Sequence, residues 1–224
     1  MDLKQQAAKE AVTLIKDKMV IGLGAGATMA YMAQYLKQEN KTVKVYSSSA
    51  DTRASLSQYG YEVQDIACNA FLDLYFDGCD QFDKNLNALK SGGGIHTMEK
   101  LLASMSKEFI LVGDESKYSE TLSTKFPVVL EVLPQAQLFV TTKLEQIYSN
   151  IKMTYRKNAT DVLILTENSN LLLDVWFETL PALAEINSQL KSITGVVETS
   201  LFYGLATKAI VAGSEGIKIF TKQQ

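Results

Sequence analysis

"MVIGLGAGATMAYMAQYL" runs from Met19 to Leu36. Its first five residues form an apolar run of strand length. Glycines at 22, 24 and 26 then break any regular element, and from Met29 the apolar residues return at helical spacing. Strand, glycine turn and helix in that order open a βαβ unit. Upstream, Leu3, Ala7, Ala8, Ala11, Val12 and Ile15 mark a first helix. Downstream the alternation continues. VKVYSSS is a strand with its exit loop, and Asp51 to Gln58 a helix stopped by Gly60. LDLYFD is a strand ending on Asp77, Ile95 to Met105 a helix, and FILVGD a long strand. The pattern predicts an α/β fold: a Rossmann-like, mostly parallel sheet with helices on both faces and right-handed crossovers. In such sheets ligands bind beyond the C-terminal strand ends.

After Phe126-Pro127 the rhythm changes. VVLEV, a helix from about Ala136 to Tyr148, then KMTY, DVLIL and LLLDV follow, with ENSN as a hairpin turn. Pro181 suits the first turn of a helix reaching about Leu190. This reads as a smaller α+β domain over 125–197, inserted near the C-terminal end. KAIVAG and GIKIF return as short strands that rejoin the first sheet. The catalytic α/β domain is then 1–124 plus 198–224.

The composition is that of an ordinary globular protein, with 46% hydrophobic and 21% charged residues. A net charge of -3 without a basic run argues against nucleic acid as a partner. The longest apolar stretches are too short to span a bilayer. The N-terminus lacks the apolar core of a secretory signal. Cys68 and Cys79 form no CxxC pair, which points to reduced thiols in the cytoplasm. One histidine and two cysteines leave little for a transition-metal site.

Four loops at predicted strand ends carry chemistry, each with an ordinary alternative. GLGAGAT offers bare N–H groups and a helix N-terminus to an anion such as phosphate. It also matches a dinucleotide fingerprint, but no acid ends the second strand where a NAD site needs one; Arg53 suits NADP instead. The alternative is a tight turn that only packs. DGCD sets Asp77 and Asp80 around a glycine; in one pocket their repulsion raises one pKa, and otherwise they form a solvated turn. In KSGGGIHTMEK, Glu99 falls on the first turns of a helix, where a carboxylate stays ionised and can act as a general base. Lys90 can neutralise an oxyanion; a solvated acid and a surface lysine are the plain readings. His96 reads as a capping or packing residue. In GDESK, Lys117 can reach a phosphate or sugar oxygen, or merely belong to a helix-capping loop.

Taken together, the order GxGxGxT, SSS, DGxDxxD, KxGGGxxxxEK, DxSK and FPVVLEVLP resembles the type A ribose-5-phosphate isomerases. NSNLLLDV and ITGVVETSLF extend the likeness over nearly the whole chain. The resemblance implies a cytoplasmic isomerase that interconverts ribose 5-phosphate and ribulose 5-phosphate, a step of the non-oxidative pentose phosphate pathway, through an enediolate. It implies a sugar phosphate as the small-molecule partner, no cofactor or metal, no membrane, and a homodimer or homotetramer. Glu99 takes the position of the proton acceptor. Asp77 and Asp80 match acids that handle ring opening and hydroxyls, and Lys90 the lysine beside the oxyanion. Gly92 and Gly93 match the backbone donors that follow it, and Ser91, Gly78 and Cys79 join them in the substrate-binding set, the last two lying between the two acids. Ala25, Gly26, Ala27 and Thr28 fall on the phosphate loop, Lys117 on the substrate lysine and Lys4 on an N-terminal phosphate contact.

The departures lie at the phosphate end. The family loop usually reads GTGST, so Ala25 and Ala27 stand where hydroxyls are expected. That predicts weaker phosphate binding and leaves open another aldose phosphate as substrate. A sugar-phosphate-binding sensor and an NADP-dependent reductase are the alternatives from other classes. The intact Glu99, Asp77 and Lys90 oppose the first, and the missing ribose acid opposes the second.

Overall fold

The structure, a computed structural model, describes residues 2–222. Helix α1 (Leu3–Thr13) starts with a capping box: Asp2 accepts from the Gln5 N–H, and the Gln5 side chain accepts from the Asp2 N–H. Its small residues Ala7, Ala8 and Ala11 are fully buried, so the helix lies close to its neighbours. Strand β1 (Val20–Leu23) leads through the glycine turn into α2 (Ala27–Gln38). Then come β2 (Lys44–Tyr46), α3 (Ala50–Gln58), β3 (Leu72–Asp77) and the two-residue strands β4 (Gln81–Phe82) and β5 (Ala88–Leu89). Helix α4 (His96–Met105) runs straight into β6 (Ser106–Asp114).

The second unit comprises β7 (Val128–Val132), α5 (Gln137–Ile147), β8 (Ile151–Tyr155), β9 (Leu171–Phe177), α6 (Leu183–Ser192) and β10 (Val196–Thr199). The chain ends with β11 (Leu201–Phe202), β12 (Lys208–Gly213) and β13 (Gly216–Thr221).

The main sheet has the order β13-β12-β6-β3-β1-β2. All its pairings are parallel except the β12–β13 hairpin. KAIVAG and GIKIF do rejoin the first sheet. The second sheet, β10-β7-β9-β8, is antiparallel throughout. Its βαββαβ connectivity and strand order are those of a ferredoxin-like unit. A third small sheet, β11-β5-β4, was not foreseen, because two-residue strands leave no periodic signal. It fixes the segment that carries Lys90.

Two sequence expectations differ from the structure. DVLIL is not a ladder strand. Asp161 adopts a positive φ of 64°, and the segment makes only isolated bridges, Lys157 with Leu163 and Leu165 with Leu171. Val162, Ile164 and Leu165 are exposed, so nothing buries the face their pattern suggested. Helix α6 starts at Leu183, and Pro181 precedes its cap, Ala182, whose φ of -52° and ψ of 124° are not helical. Among the described residues no helix is long and apolar enough to cross a membrane.

Candidate active site

The C-terminal ends of β1, β3 and β6 meet at Asp77. This carboxylate is completely buried. It accepts from the Tyr75 hydroxyl at 2.7 Å, the Gly78 N–H at 2.8 Å and the Ala25 N–H at 3.1 Å, and pairs with Lys90 Nζ at 2.8 Å. Those donors occupy the lone-pair sites a carboxylate offers. The packing reading of the first glycines therefore holds at Gly24: a Cβ there would lie 1.9 Å from the Asp77 carboxyl carbon. The Gly24 carbonyl is itself held by Thr52 Oγ1 at 2.7 Å. Gly24→Ala is expected to displace Asp77 or prevent folding. A purified variant with wild-type melting temperature and activity would contradict this geometry.

Lys90 leaves β5 with its N–H donating to the Ser200 carbonyl at 3.0 Å. Its ammonium lies inside the protein, donating to the Gly78 carbonyl at 2.6 Å and approaching Glu99 Oε1 at 3.3 Å. Burial pulls its pKa down, but the Asp77 and Glu99 carboxylates outweigh this and hold it above its ordinary value. Glu99, in the first turn of α4, is only 5% exposed. Desolvation, then the charge of Asp77, push its carboxyl up to about 8, against the pull of Lys90. Helix position alone suggested an ionised acid; burial beside a second carboxylate overrides that influence.

Asp80 faces the cavity from the other side. Its Oδ2 accepts the Ser91 N–H at 2.5 Å and the Gly92 N–H at 3.1 Å. The Gly92 N–H is thus engaged by protein rather than open to a ligand. Ser91 is buried behind the wall, with its hydroxyl on the Pro127 carbonyl at 2.6 Å. The carbonyls of Ser91 and Gly92 accept from Arg156, which reaches across from the second sheet.

The far end of the cavity is cationic. Gly26, at φ 94°, caps α2 in a conformation that favours glycine. The first N–H groups of α2 have no intrahelical acceptor and border the cavity at Gly26, Ala27 and Thr28. Lys4 and Lys117 stand on the same rim with Asp114. Burial pushes the Asp114 carboxyl up, but bonds from Ser116 and the charges of Lys117 and Lys4 leave it below its usual range.

The cavity measures about 330 Å³, at the small end of ligand sites. Ala25, Gly26, Ala27, Thr28, Gly78, Cys79, Asp80, Lys90, Gly92, Gly93, Glu99, Lys117 and Lys4 all line it. Asp77 and Ser91 lie beneath its surface. Desolvation raises the Cys79 thiol to about 12, so it is no nucleophile at neutral pH. His96 is buried at the start of α4, with Nε2 3.4 Å from the Glu198 carbonyl and its pKa lowered by burial to about 4, as its packing role implied. The sequence reading missed Tyr75, Asp114 and Arg156. Tyr75 has the apolar context of a core residue, Asp114 is one of many loop acids, and Arg156 lies more than sixty residues from the loop it holds.

A carboxylic acid and an ammonium at one end of a small cavity, with helix N–H groups and lysines at the other, define a sugar-phosphate isomerase. The profile of the ribose 5-phosphate isomerase A (phosphoriboisomerase A) family matches residues 44–216. The chain belongs to that family. A ribose-5-phosphate isomerase A from Methanothermobacter thermautotrophicus is 35% identical, covering 98% of this chain and 97% of the relative. The Synechococcus enzyme of that name is 32% identical, covering 99% and 97%. The ribose 5-phosphate isomerase A structure from Methanocaldococcus jannaschii superposes with a TM-score of 0.89 at 32% identity, covering 99% of each chain. A D-ribose-5-phosphate isomerase solved with phospho-erythronic acid gives 0.90 at 32% identity, covering 99% of this chain and 100% of that one. A DeoR C-terminal sensor-domain profile matches only residues 1–67, a span that ends before Asp77, Lys90 and Glu99.

Proposed function

We propose that the protein interconverts ribose 5-phosphate and ribulose 5-phosphate. One observation carries the reading: Lys90 bridges the buried Asp77 and the cavity-facing Glu99, in a pocket whose opposite end is built for an anion. The phosphate rests on the α2 N-terminus with Lys4 and Lys117, which sets C1 and C2 toward Glu99. Asp80, whose Oδ1 meets no protein donor among the described residues, takes the ring-opening role. Asp77 then acts by holding Lys90 and the loop rather than by touching the sugar.

In the open-chain aldose, ionised Glu99 takes the proton from C2. Electrons move onto the C1 oxygen, and the enediolate forms beside the Lys90 ammonium. Glu99 returns its proton to C1, while the hydroxyl proton on O2 passes to O1. The ketose results and the enzyme is regenerated. The test is turnover of ribose 5-phosphate by the purified, metal-stripped protein. No conversion would sink the reading.

Ala25 and Ala27 favour a second reading, the same chemistry on a different aldose phosphate; a panel of sugar phosphates separates the two. Restoring hydroxyls with Ala25→Thr and Ala27→Ser is expected to lower KM for ribose 5-phosphate about tenfold per productive bond. Unchanged KM in the double variant would show that backbone N–H groups suffice. The reading also includes a cytoplasmic location, supported by two unpaired cysteines. It includes a homodimer or homotetramer, supported by exposed Leu133, Leu138 and Phe139 and checked by light scattering.

A further inference from the structure

Arg156 follows β8 in the antiparallel sheet, yet two of its side-chain nitrogens serve the other sheet's loop. Nη1 donates to the Gly92 carbonyl at 2.8 Å and Nη2 to the Ser91 carbonyl. Nε donates to Asp174 Oδ1 at 2.8 Å. Its backbone is fixed too: the N–H donates to the Leu172 carbonyl at 2.9 Å, and the carbonyl accepts from the Ile164 N–H at 3.0 Å. A planar fork on a pinned backbone is a rigid device.

What it grips has a directional consequence. In a trans peptide the C=O and N–H point opposite ways. The Ser91 carbonyl and the Gly92 N–H share one peptide. Arg156 holds the carbonyl on one side, and the N–H meets Asp80 on the other at 3.1 Å. The Gly92 carbonyl and the Gly93 N–H share the next peptide. With that carbonyl on Arg156, the Gly93 N–H is directed away from Arg156, and Gly93 itself borders the cavity. Glycines have too much backbone freedom to hold such an orientation unaided.

We infer that Arg156 is a positioning residue for the isomerisation: it sets the planes of two successive peptides so that Asp80 and the Gly93 N–H face the reacting end of the sugar. The inference rests on the assignment of this cavity as the active site. The cationic fork also polarises both peptides, which strengthens their N–H groups as donors. The second sheet thereby takes part in catalysis without lining the site.

The experiment compares wild type, Arg156→Ala, Arg156→Lys and Glu99→Gln. It reads kcat, KM, and inhibition by phospho-erythronic acid, whose carboxylate imitates the charged end of the enediolate, and by inorganic phosphate. Arg156→Ala is expected to lose about 10–100-fold in kcat, less than the roughly 10²–10³ that removing an oxyanion donor outright costs, because the N–H itself remains. Inhibition by phospho-erythronic acid should weaken by a similar factor while inhibition by phosphate stays within twofold. Added guanidinium ion should restore part of kcat. A folded Arg156→Ala with kcat within threefold of wild type overturns the inference. So does equal weakening of both inhibitors without rescue, the mark of a merely structural residue. Should Arg156→Ala fail to fold, Arg156→Lys decides: it keeps the charge without the fork, and full kcat in it overturns the inference. Normal turnover by Glu99→Gln would instead overturn the active-site assignment itself.

Discussion

Glu99→Gln is expected to lower kcat by about 10³ or more, the range for a lost general base, with sugar-phosphate binding nearly unchanged. Glutamine keeps the size and the polarity of the side chain but cannot take a proton. The same change should stabilise the protein. The Glu99 carboxyl is held up to about 8 by burial and by Asp77, so the folded state keeps a proton that the unfolded chain has lost. For a raised acid, the stability contribution is complete below the unfolded value and is lost as pH rises through the folded one. The melting-temperature gain of Glu99→Gln should therefore be small near pH 5 and largest above pH 8. A gain of about 1–2 kcal/mol corresponds to roughly 2–8 °C in a chain of this size. Lys90 keeps its partner Asp77 in this variant, so no buried ammonium is orphaned. The wild-type kcat/KM should rise with pH toward and through about 8, because the base must be ionised. A profile flat from pH 5 to 9, or a variant with substantial turnover, would remove Glu99 from the role of base.

Lys90→Met is expected to cost both stability and activity. It leaves the carboxylates of Asp77 and Glu99 buried with their common cation gone. Breaking a buried ion pair from one side costs about 3–5 kcal/mol, which is roughly 6–20 °C of melting temperature. The deficit should narrow at acid pH, where Glu99 is protonated, and widen as pH rises through about 8. Activity should be lost as well, since the enediolate then forms without a cation beside it. Thermal unfolding between pH 5 and 9 checks both the size and the slope. A melting temperature within two or three degrees of wild type at pH 8 would mean that Lys90 does not bridge these acids.

Much of this site was legible in the chain because its parts lie in local patterns. The glycine turn after β1, the acids after β3 and the lysine-glycine segment before α4 each sit where a strand ends or a helix begins, and such ends are recognisable from residue type and period. The type of each long element was legible for the same reason. DVLIL misled because an apolar run reports a capacity for burial, and in this structure Val162, Ile164 and Leu165 stay exposed. The two-residue strands of the small sheet were invisible because they have no period at all.

Side-chain partners were less legible. Asp77 read as a residue that touches the sugar, yet Tyr75, Lys90 and two backbone N–H groups enclose it. Gly92 read as an open donor, yet Asp80 takes its N–H. Each of these contacts depends on distances between segments that the chain brings together only when folded.

The amino-acid sequence by itself determined the alternation of strands and helices, the turns that only glycine permits, and the placement of Asp77, Asp80, Lys90 and Glu99 at ends of elements. Those are matters of local sterics and period. The tertiary structure decided which acid is saturated and which faces the cavity, the raised pKa of Glu99, and the grip of Arg156 on the glycine loop. Burial, electrostatic coupling and hydrogen-bond competition act through space, and none of them is a property of neighbouring residues in the chain.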